Sequence, residues 1–177
     1  MGGYGSTRWT WHNKATPVED CHKLDVFGFK DAIRHGRGYF GAVTWYRGRG
    51  SYERKTGSIS YRVERHGDAP AIRLLYSIGD ASFDYPVMLT PTHPYFGGQR
   101  WWWVCPLTLN GQPCLRRVGV LYLPPGGRYF GCRHCYRLTY TSCQESHQYD
   151  SLFAGIGAEM GITGKEVQRL LKRRGYG

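Results

Sequence analysis

The hydrophobic positions change period twice along the chain. Near the start they are short and helix-like. Thr16-Pro17-Val18-Glu19 offers an N-cap, a proline at the first helical position and a glutamate three residues after the cap. A second short helix is predicted from about Asp25 to His35, ending at Gly36. From residue 39 the period becomes two. Val43 and Trp45 alternate with Thr44 and Tyr46. Ile59, Tyr61 and Val63 share a face, as do Ile72, Leu74, Tyr76 and Ile78, then Phe83, Tyr85, Val87 and Leu89. Turn-forming residues separate these runs at Gly48-Arg49-Gly50-Ser51, His66-Gly67-Asp68 and Gly79-Asp80. Four strands on short loops make an antiparallel meander with one face free for a core.

Trp101 to Cys105 reads as a fifth strand and Arg116 to Leu123 as a sixth. In the sixth, Val118, Val120 and Tyr122 oppose Gly119, Leu121 and Leu123. Pro124-Pro125-Gly126-Gly127 is a turn, and Arg128-Tyr129-Phe130 opens a seventh strand. The last thirty or so residues return to a helical pattern. The expected fold class is α+β, mainly β: an antiparallel β-meander with a cysteine-rich insert and C-terminal helices. The segments are an arm with short helices (1–36), the meander (37–100), the cysteine-rich part (101–143) and a basic helical tail (144–177).

Charge adds direction. The 177 residues carry 24 Lys+Arg against 13 Asp+Glu, a net charge of +11, which favours polyanions and above all nucleic acid. Residues 85–144 hold six arginines and no carboxylate. No apolar run approaches the roughly 20 residues of a membrane span, and the Gly-rich start, which has no apolar stretch, predicts no secretory signal. Six cysteines in such a chain point to a reducing cytoplasm, where thiols meet metals more often than each other.

Four of those cysteines form two pairs, Cys105-x8-Cys114 and Cys132-x2-Cys135. Tetrahedral zinc needs four ligands converging at about 2.0–2.3 Å, and thiolates are preferred where the metal is structural. A hairpin between the pairs brings them together, which predicts one structural zinc ion on Cys105, Cys114, Cys132 and Cys135. Buried free thiols are the plain alternative. His134, Cys143 and His93 are alternative ligands, and a Cys132/Cys135 redox pair lacks the βαβ context it needs.

Cys-Pro in the first pair, and Cys-x2-Cys followed by Tyr136 in the second, resemble a zinc ribbon over residues 101–143. The eight-residue spacing of the first pair departs from the usual two, and Asn110-Gly111 suggests a turn inserted in the knuckle. Phe96-Gly97-Gly98-x-Arg100-Trp101-Trp102 and the stretch from Leu121 to Phe130 are similar to a group of uncharacterised bacterial zinc-ribbon-containing proteins. That resemblance implies a bacterial, cytoplasmic protein and supplies no activity.

Arginines 100, 116, 117, 128, 133 and 137 lie among the rings of Trp101, Trp102, Trp103, Tyr129, Phe130, Tyr136 and Tyr140. Such arginines suit phosphate contacts, and exposed rings suit stacking on bases. Strand alternation sends half the rings to the core, so Arg100, Arg116, Arg117, Arg128, Arg133 and Arg137 are the candidate contacts. In the tail, Ala158 to Leu171 resembles the turn and second helix of a helix-turn-helix. Thr163 and Glu166 form a capping box, and Lys165, Gln168, Arg169 and Lys172 make a polar face. Gly155 and Gly157 weaken the first of those helices. A basic helix laid on the domain by Val167, Leu170 and Leu171 is the simpler reading.

Catalytic signals are poor. Glu53-Arg54-Lys55 sits in a probable turn, His93 has no partner asparagine nearby, and there is no phosphate-binding glycine loop or nucleophile elbow. The sequence therefore predicts a non-enzymatic nucleic-acid-binding protein, DNA or RNA, with a structural Zn²⁺. The alternative is a protein-interaction adaptor; a metal-dependent nuclease using Glu53 comes third.

Overall fold

The computed structural model describes residues 15–48, 50–66, 69–145 and 150–173, so the Gly-rich start lies outside the described residues. They fall into two compact units, one reaching to Leu138 and one from Thr139 onward. The first is mainly β, as the alternation predicts. Its sheet has six strands in the order β2-β3-β4-β5-β6-β9. These are β2 (Phe40–Arg47), β3 (Arg54–His66), β4 (Ala69–Ile78), β5 (Ala81–Thr92), β6 (Arg100–Val104) and β9 (Arg117–Val118). Every pairing is antiparallel.

Two long strands curl this sheet. β3 pairs with β2 through Arg54–Arg62 and with β4 through Ser60–His66, so the two pairings overlap by only a few residues. β5 gives Ala81–Met88 to β4 and Leu89–Thr92 to β6. A strand shared end to end between neighbours adds coil to the normal twist and closes one face inward. That face carries the predicted alternate residues: Ile59, Val63, Ile72, Leu74, Val87, Leu89 and Trp103 are buried, with Val43, Trp45, Tyr85 and Trp101 packed beside them. Ile78, at the end of its run, is exposed instead.

The N-terminal segment fills the hollow. Leu24, Val26, Phe29 and Ala32 join the same core, with Leu121, Leu123 and Phe130 from later in the chain. Trp103 is fully buried and donates its indole N–H to the Leu24 carbonyl at 3.0 Å. Phe29 meets the rings of both Tyr61 and Trp103 edge-on, with centroids 4.7 and 5.1 Å away.

Here the structure corrects the sequence reading. No helix follows Thr16. Val18–Asp20 is a single 3-10 turn with extended Pro17 before it and no side-chain cap. The chain then forms β1 (His22–Asp25), paired with β10 (Val120–Leu123) in a separate two-stranded sheet. A strand partner about a hundred residues away overrides the local capping signal. The second helix begins as a 3-10 turn, Val26–Phe29, capped by Asp25 Oδ1 on the Phe27 N–H at 3.0 Å, and becomes α1 only over Lys30–His35 before Gly36. The predicted sixth strand breaks at Gly119: β9 stays in the large sheet and β10 leaves it for β1. Arg128–Phe130 is not a strand, and that hairpin reduces to one bridge between Tyr122 and Gly131. Both faces of β10 are covered, Leu121 and Leu123 by the main core, Val120 and Tyr122 by a smaller cluster with Val18, Cys21 and Leu138.

The second unit contains α2 (Thr141–Glu145), α3 (Asp150–Met160) and α4 (Gly164–Arg173). No helix among the described residues is long and apolar enough to cross a membrane.

Because Trp103 fills the hollow and Trp102 lies half-buried on the opposite face, their truncations should differ. Trp103→Ala should cost about 3–5 kcal/mol and Trp102→Ala less than about half of that, read from urea midpoints of the full chain.

Candidate metal centre

β6 runs straight into the first cysteine. The Cys105 N–H donates to the Arg116 carbonyl at 2.9 Å, which extends the β6–β9 pairing by one step. After Pro106 and Leu107 the chain forms a small hairpin, β7 (Thr108–Leu109) and β8 (Gln112–Pro113). Asn110 and Gly111, with φ of 50° and 78°, make its turn, as a two-residue hairpin of this hand requires. The Cys114 N–H then donates to the Leu107 carbonyl at 2.8 Å and closes the neck. The long spacing is thus an ordinary two-residue knuckle with a hairpin inserted after Leu107.

The second cysteine turn is tight. The Cys135 N–H donates to Cys132 Sγ at 3.4 Å, and the Leu138 N–H to the Arg133 carbonyl at 3.0 Å. Gly131 lies where the two turns meet: a Cβ there would lie 2.1 Å from Leu107 Cδ1, so any larger residue would displace the Leu107 side chain of the first turn. Leu115 and Arg137, just past each pair, have φ of 49° and 50°. Non-glycine residues enter this left-handed region at a cost of about 1–2 kcal/mol, so both turns are held by what surrounds them.

The four sulfurs all lie within 4.8 Å of one another. Cys105–Cys135 is 3.8 Å, Cys114–Cys132 3.9 Å and Cys132–Cys135 3.5 Å. A tetrahedron built on metal–sulfur bonds of about 2.3 Å has edges of about 3.8 Å. A disulfide would require about 2.05 Å. The donor set therefore fits a tetrahedral thiophilic metal, and these residues could hold such an ion.

The surroundings shift the acidity of three of these thiols. Burial pushes the Cys105 thiol up to about 11, although the N–H groups of Leu107 and Cys132 point at its sulfur. Burial and the adjoining thiols of Cys114 and Cys132 push Cys135 up further. At Cys114 burial acts in the same direction, but the Arg116 N–H and the surrounding thiols outweigh it and the pKa falls below the usual thiol value. A divalent cation would reverse the unfavourable cases, because it stabilises thiolates outright.

The alternative ligands are not members of the sulfur cluster. His134 is exposed on the second turn, Cys143 is exposed on α2, and His93 is exposed with a 3.4 Å contact to Gln99. Cys21 is buried with its thiol on the Pro17 carbonyl, and burial raises its pKa. Among the described residues the four cysteines are the one cluster suited to a metal.

Arg116, Arg117, Arg128 and Arg137 are exposed, and none of them enters an ion pair among the described residues. Arg133 is half-buried. Arg100 is tied down, its guanidinium 4.2 Å from the Trp102 ring and 5.6 Å from that of Phe27. The rings picked out by sequence are mostly structural: Trp103 and Phe130 are fully buried, and the Tyr136 hydroxyl donates to the Tyr129 carbonyl. Of that set Tyr129 and Tyr140 are exposed, at 46% and 40%, and the most exposed rings are others. Tyr95 and Phe96 are 98% and 97% exposed, and Tyr52 is 86% exposed. Their signal was position, since each lies in a turn flanked by glycine.

In the second unit, Gly161, Ile162 and Thr163 join α3 to α4. The Ile162 N–H donates to Gly157 and the Gly161 N–H to Ala158, a Schellman closure. Thr163 and Glu166 form the predicted capping box: Glu166 Oε2 accepts from the Thr163 N–H at 2.7 Å, and the Glu166 N–H reaches Thr163 Oγ1 at 3.4 Å. Gly157 does more than weaken α3. A Cβ there would sit 2.5 Å from the Ile162 carbonyl, so its absence lets the turn lie on the helix. Lys165 and Arg169 are exposed and Val167 is buried, while Leu170 stays 48% exposed; the side chains of Gln168, Leu171 and Lys172 lie outside the described residues.

Comparison with family models, curated proteins and solved structures finds no match to this chain.

The thiol cluster predicts that Cys132→Ser abolishes stoichiometric metal binding and collapses both cysteine turns, whereas Cys143→Ser and His134→Ala keep the metal. Elemental analysis of the three variants decides this. Affinity should rise with pH, because the metal binds thiolates and the thiol protons it displaces are released to solvent.

Proposed function

We propose that this chain is a non-enzymatic nucleic-acid-binding protein in which one zinc ion, held by Cys105, Cys114, Cys132 and Cys135, fixes arginine-bearing turns against phosphate. The observation that carries the reading is the pairing of the thiol cluster with its surroundings. The carboxylate-free stretch 85–144 contains all four of these cysteines and leaves Arg116, Arg117, Arg128 and Arg137 exposed. Four thiolates suit zinc and also iron, and iron would declare itself by colour. With all four positions taken by protein, the metal is structural and does no chemistry on a substrate. The resemblance to zinc ribbons and to bacterial proteins supports the same reading and a bacterial, cytoplasmic setting. Lys165 and Arg169 on α4 supply a second cationic face, suited by its helix-turn-helix likeness to duplex DNA.

A protein-interaction adaptor is the second reading. Its supporting observation is the Tyr95–Phe96 pair, two rings in edge contact at 5.5 Å and almost wholly in solvent.

Salt distinguishes the two. With four phosphate contacts, binding to a labelled single-stranded oligonucleotide should weaken about fifty-fold between 50 and 200 mM salt. The metal-loaded full chain should contain one zinc per chain by elemental analysis. Zinc without salt-sensitive binding would point to the adaptor, and a folded protein without zinc would overturn the metal assignment.

A further inference from the structure

The strand directions gather several features at one end of the sheet. β2, β4 and β6 finish where β3, β5 and β9 begin. The turn after Arg47 and the turn after Ile78 therefore share that end, whereas the Cys105–Arg116 neck follows Trp103, which pairs with Leu89, eight residues along β5 from Ala81. The Pro124–Gly127 turn joins those two turns, because the Tyr76 hydroxyl donates to the Arg128 carbonyl at 2.7 Å.

Between these pieces lies a cleft of about 390 Å³, bounded by His22, Trp45, Thr56, Tyr76, Pro125 and Gly127 among others. That volume is within the range of small-molecule pockets, about 300–1,000 Å³. His22 stacks on Trp45 with centroids 4.7 Å apart and planes 16° from parallel. Thr56 Oγ1 donates to the Trp45 carbonyl at 3.2 Å, so at its 3.2 Å contact with His22 Nε2 it accepts. Burial, aided by Arg47, holds the imidazole below its usual pKa, so the ring is neutral at pH 7. The lining is thus flat, mostly apolar and edged with hydroxyls, including Ser58 and Ser77.

Thr56 is also the wall of a second, more open groove, of about 560 Å³, formed with Arg47, Gly48, Tyr52, Arg54 and Lys55. Tyr46 and Tyr52 are 59% and 86% exposed. Residues 46–55 carry four cations and one carboxylate. Arg47 spends part of its charge on Asp20 at 2.7 Å, whereas Arg54 and Lys55 enter no ion pair among the described residues. Exposed rings interleaved with cations in a groove are the arrangement that grips an unpaired strand, phosphates on the cations and bases on the rings. A base can enter the adjoining cleft only if it is unpaired.

We propose that this sheet end binds a single strand of nucleic acid, with phosphates on Arg54 and Lys55, a base on Tyr52 and a neighbouring base in the His22–Trp45 cleft. The proposal rests on the nucleic-acid reading above and gives it a ligand class and a site distinct from the arginines chosen by sequence.

The test uses the metal-loaded full chain, a fluorescein-labelled dT12 oligonucleotide and a duplex of equal length. Tyr52→Ala should weaken dT12 binding about 5- to 150-fold, the range expected for one lost stack. Arg54→Ala with Lys55→Ala should lower the slope of log K against log salt by about 1.4. Ser77→Trp, which fills the cleft from an exposed position, should also weaken binding, while Arg37→Ala should not. All five positions are exposed, and thermal unfolding checks that each variant is folded. If wild type binds dT12 but the Tyr52, Arg54/Lys55 and Ser77 variants bind equally well, the site is refuted and the general reading survives. If the same variants weaken duplex binding as much as dT12 binding, the single-strand assignment is also refuted. If wild type binds neither probe, both readings fall.

Discussion

A sheet curled this tightly has a concave apolar face that its own strands cannot cover, and covering it organises the rest of the first unit. The N-terminal segment enters the hollow as a strand and two short turns of helix, bringing Leu24, Val26 and Phe29 to Trp103. The indole of Trp103 donates to the backbone of that segment. An unpaired indole N–H in a dry core would cost about 1–3 kcal/mol, so this bond fixes where the segment lies as well as adding to stability. β10 and Phe130 complete the cover.

The thiol cluster is built on this core and is not an appendage to it. Cys105 extends β6, the strand of Trp103, and its N–H continues the ladder to β9. Cys132 follows Phe130 and Gly131, whose backbone is bridged to β10. Each cysteine turn is thus anchored on one side by a strand that the hydrophobic core already holds. The left-handed residues Leu115 and Arg137 lie where the chain turns back from those anchors. A tetrahedral ion would join two turns that the core delivers to within a few ångströms.

Much of this was legible in the chain. Alternation at Ile59–Val63, Ile72–Tyr76 and Phe83–Leu89 gave both the strands and the buried face, because a half-buried sheet writes its period directly. The four thiols were identified by spacing, Asn110-Gly111 marked the inserted turn, and Thr163 with Glu166 marked the start of α4. What escaped was non-local. β1 has four residues and a capping signal just before it, and only its pairing with β10 makes it a strand. The break at Gly119 is a change of partner, and nothing in the residue pattern records partners. The grooved end of the sheet escaped for the same reason: His22, Trp45, Thr56 and Gly127 are distant in sequence and meet only through topology.

The hairpin inserted in the first knuckle has a consequence of its own. Because the Leu107–Cys114 bond closes the chain at its base, residues 108–113 form a side branch that the metal ligands do not pass through. Doubling a flexible loop adds only about 0.6 kcal/mol of closure entropy. The branch can therefore lengthen, shorten or change composition while the neck keeps the ligand spacing. That makes it a permissive position beside a rigid centre, a place where a tag or foreign loop could be carried on the surface with its root held to metal-site accuracy.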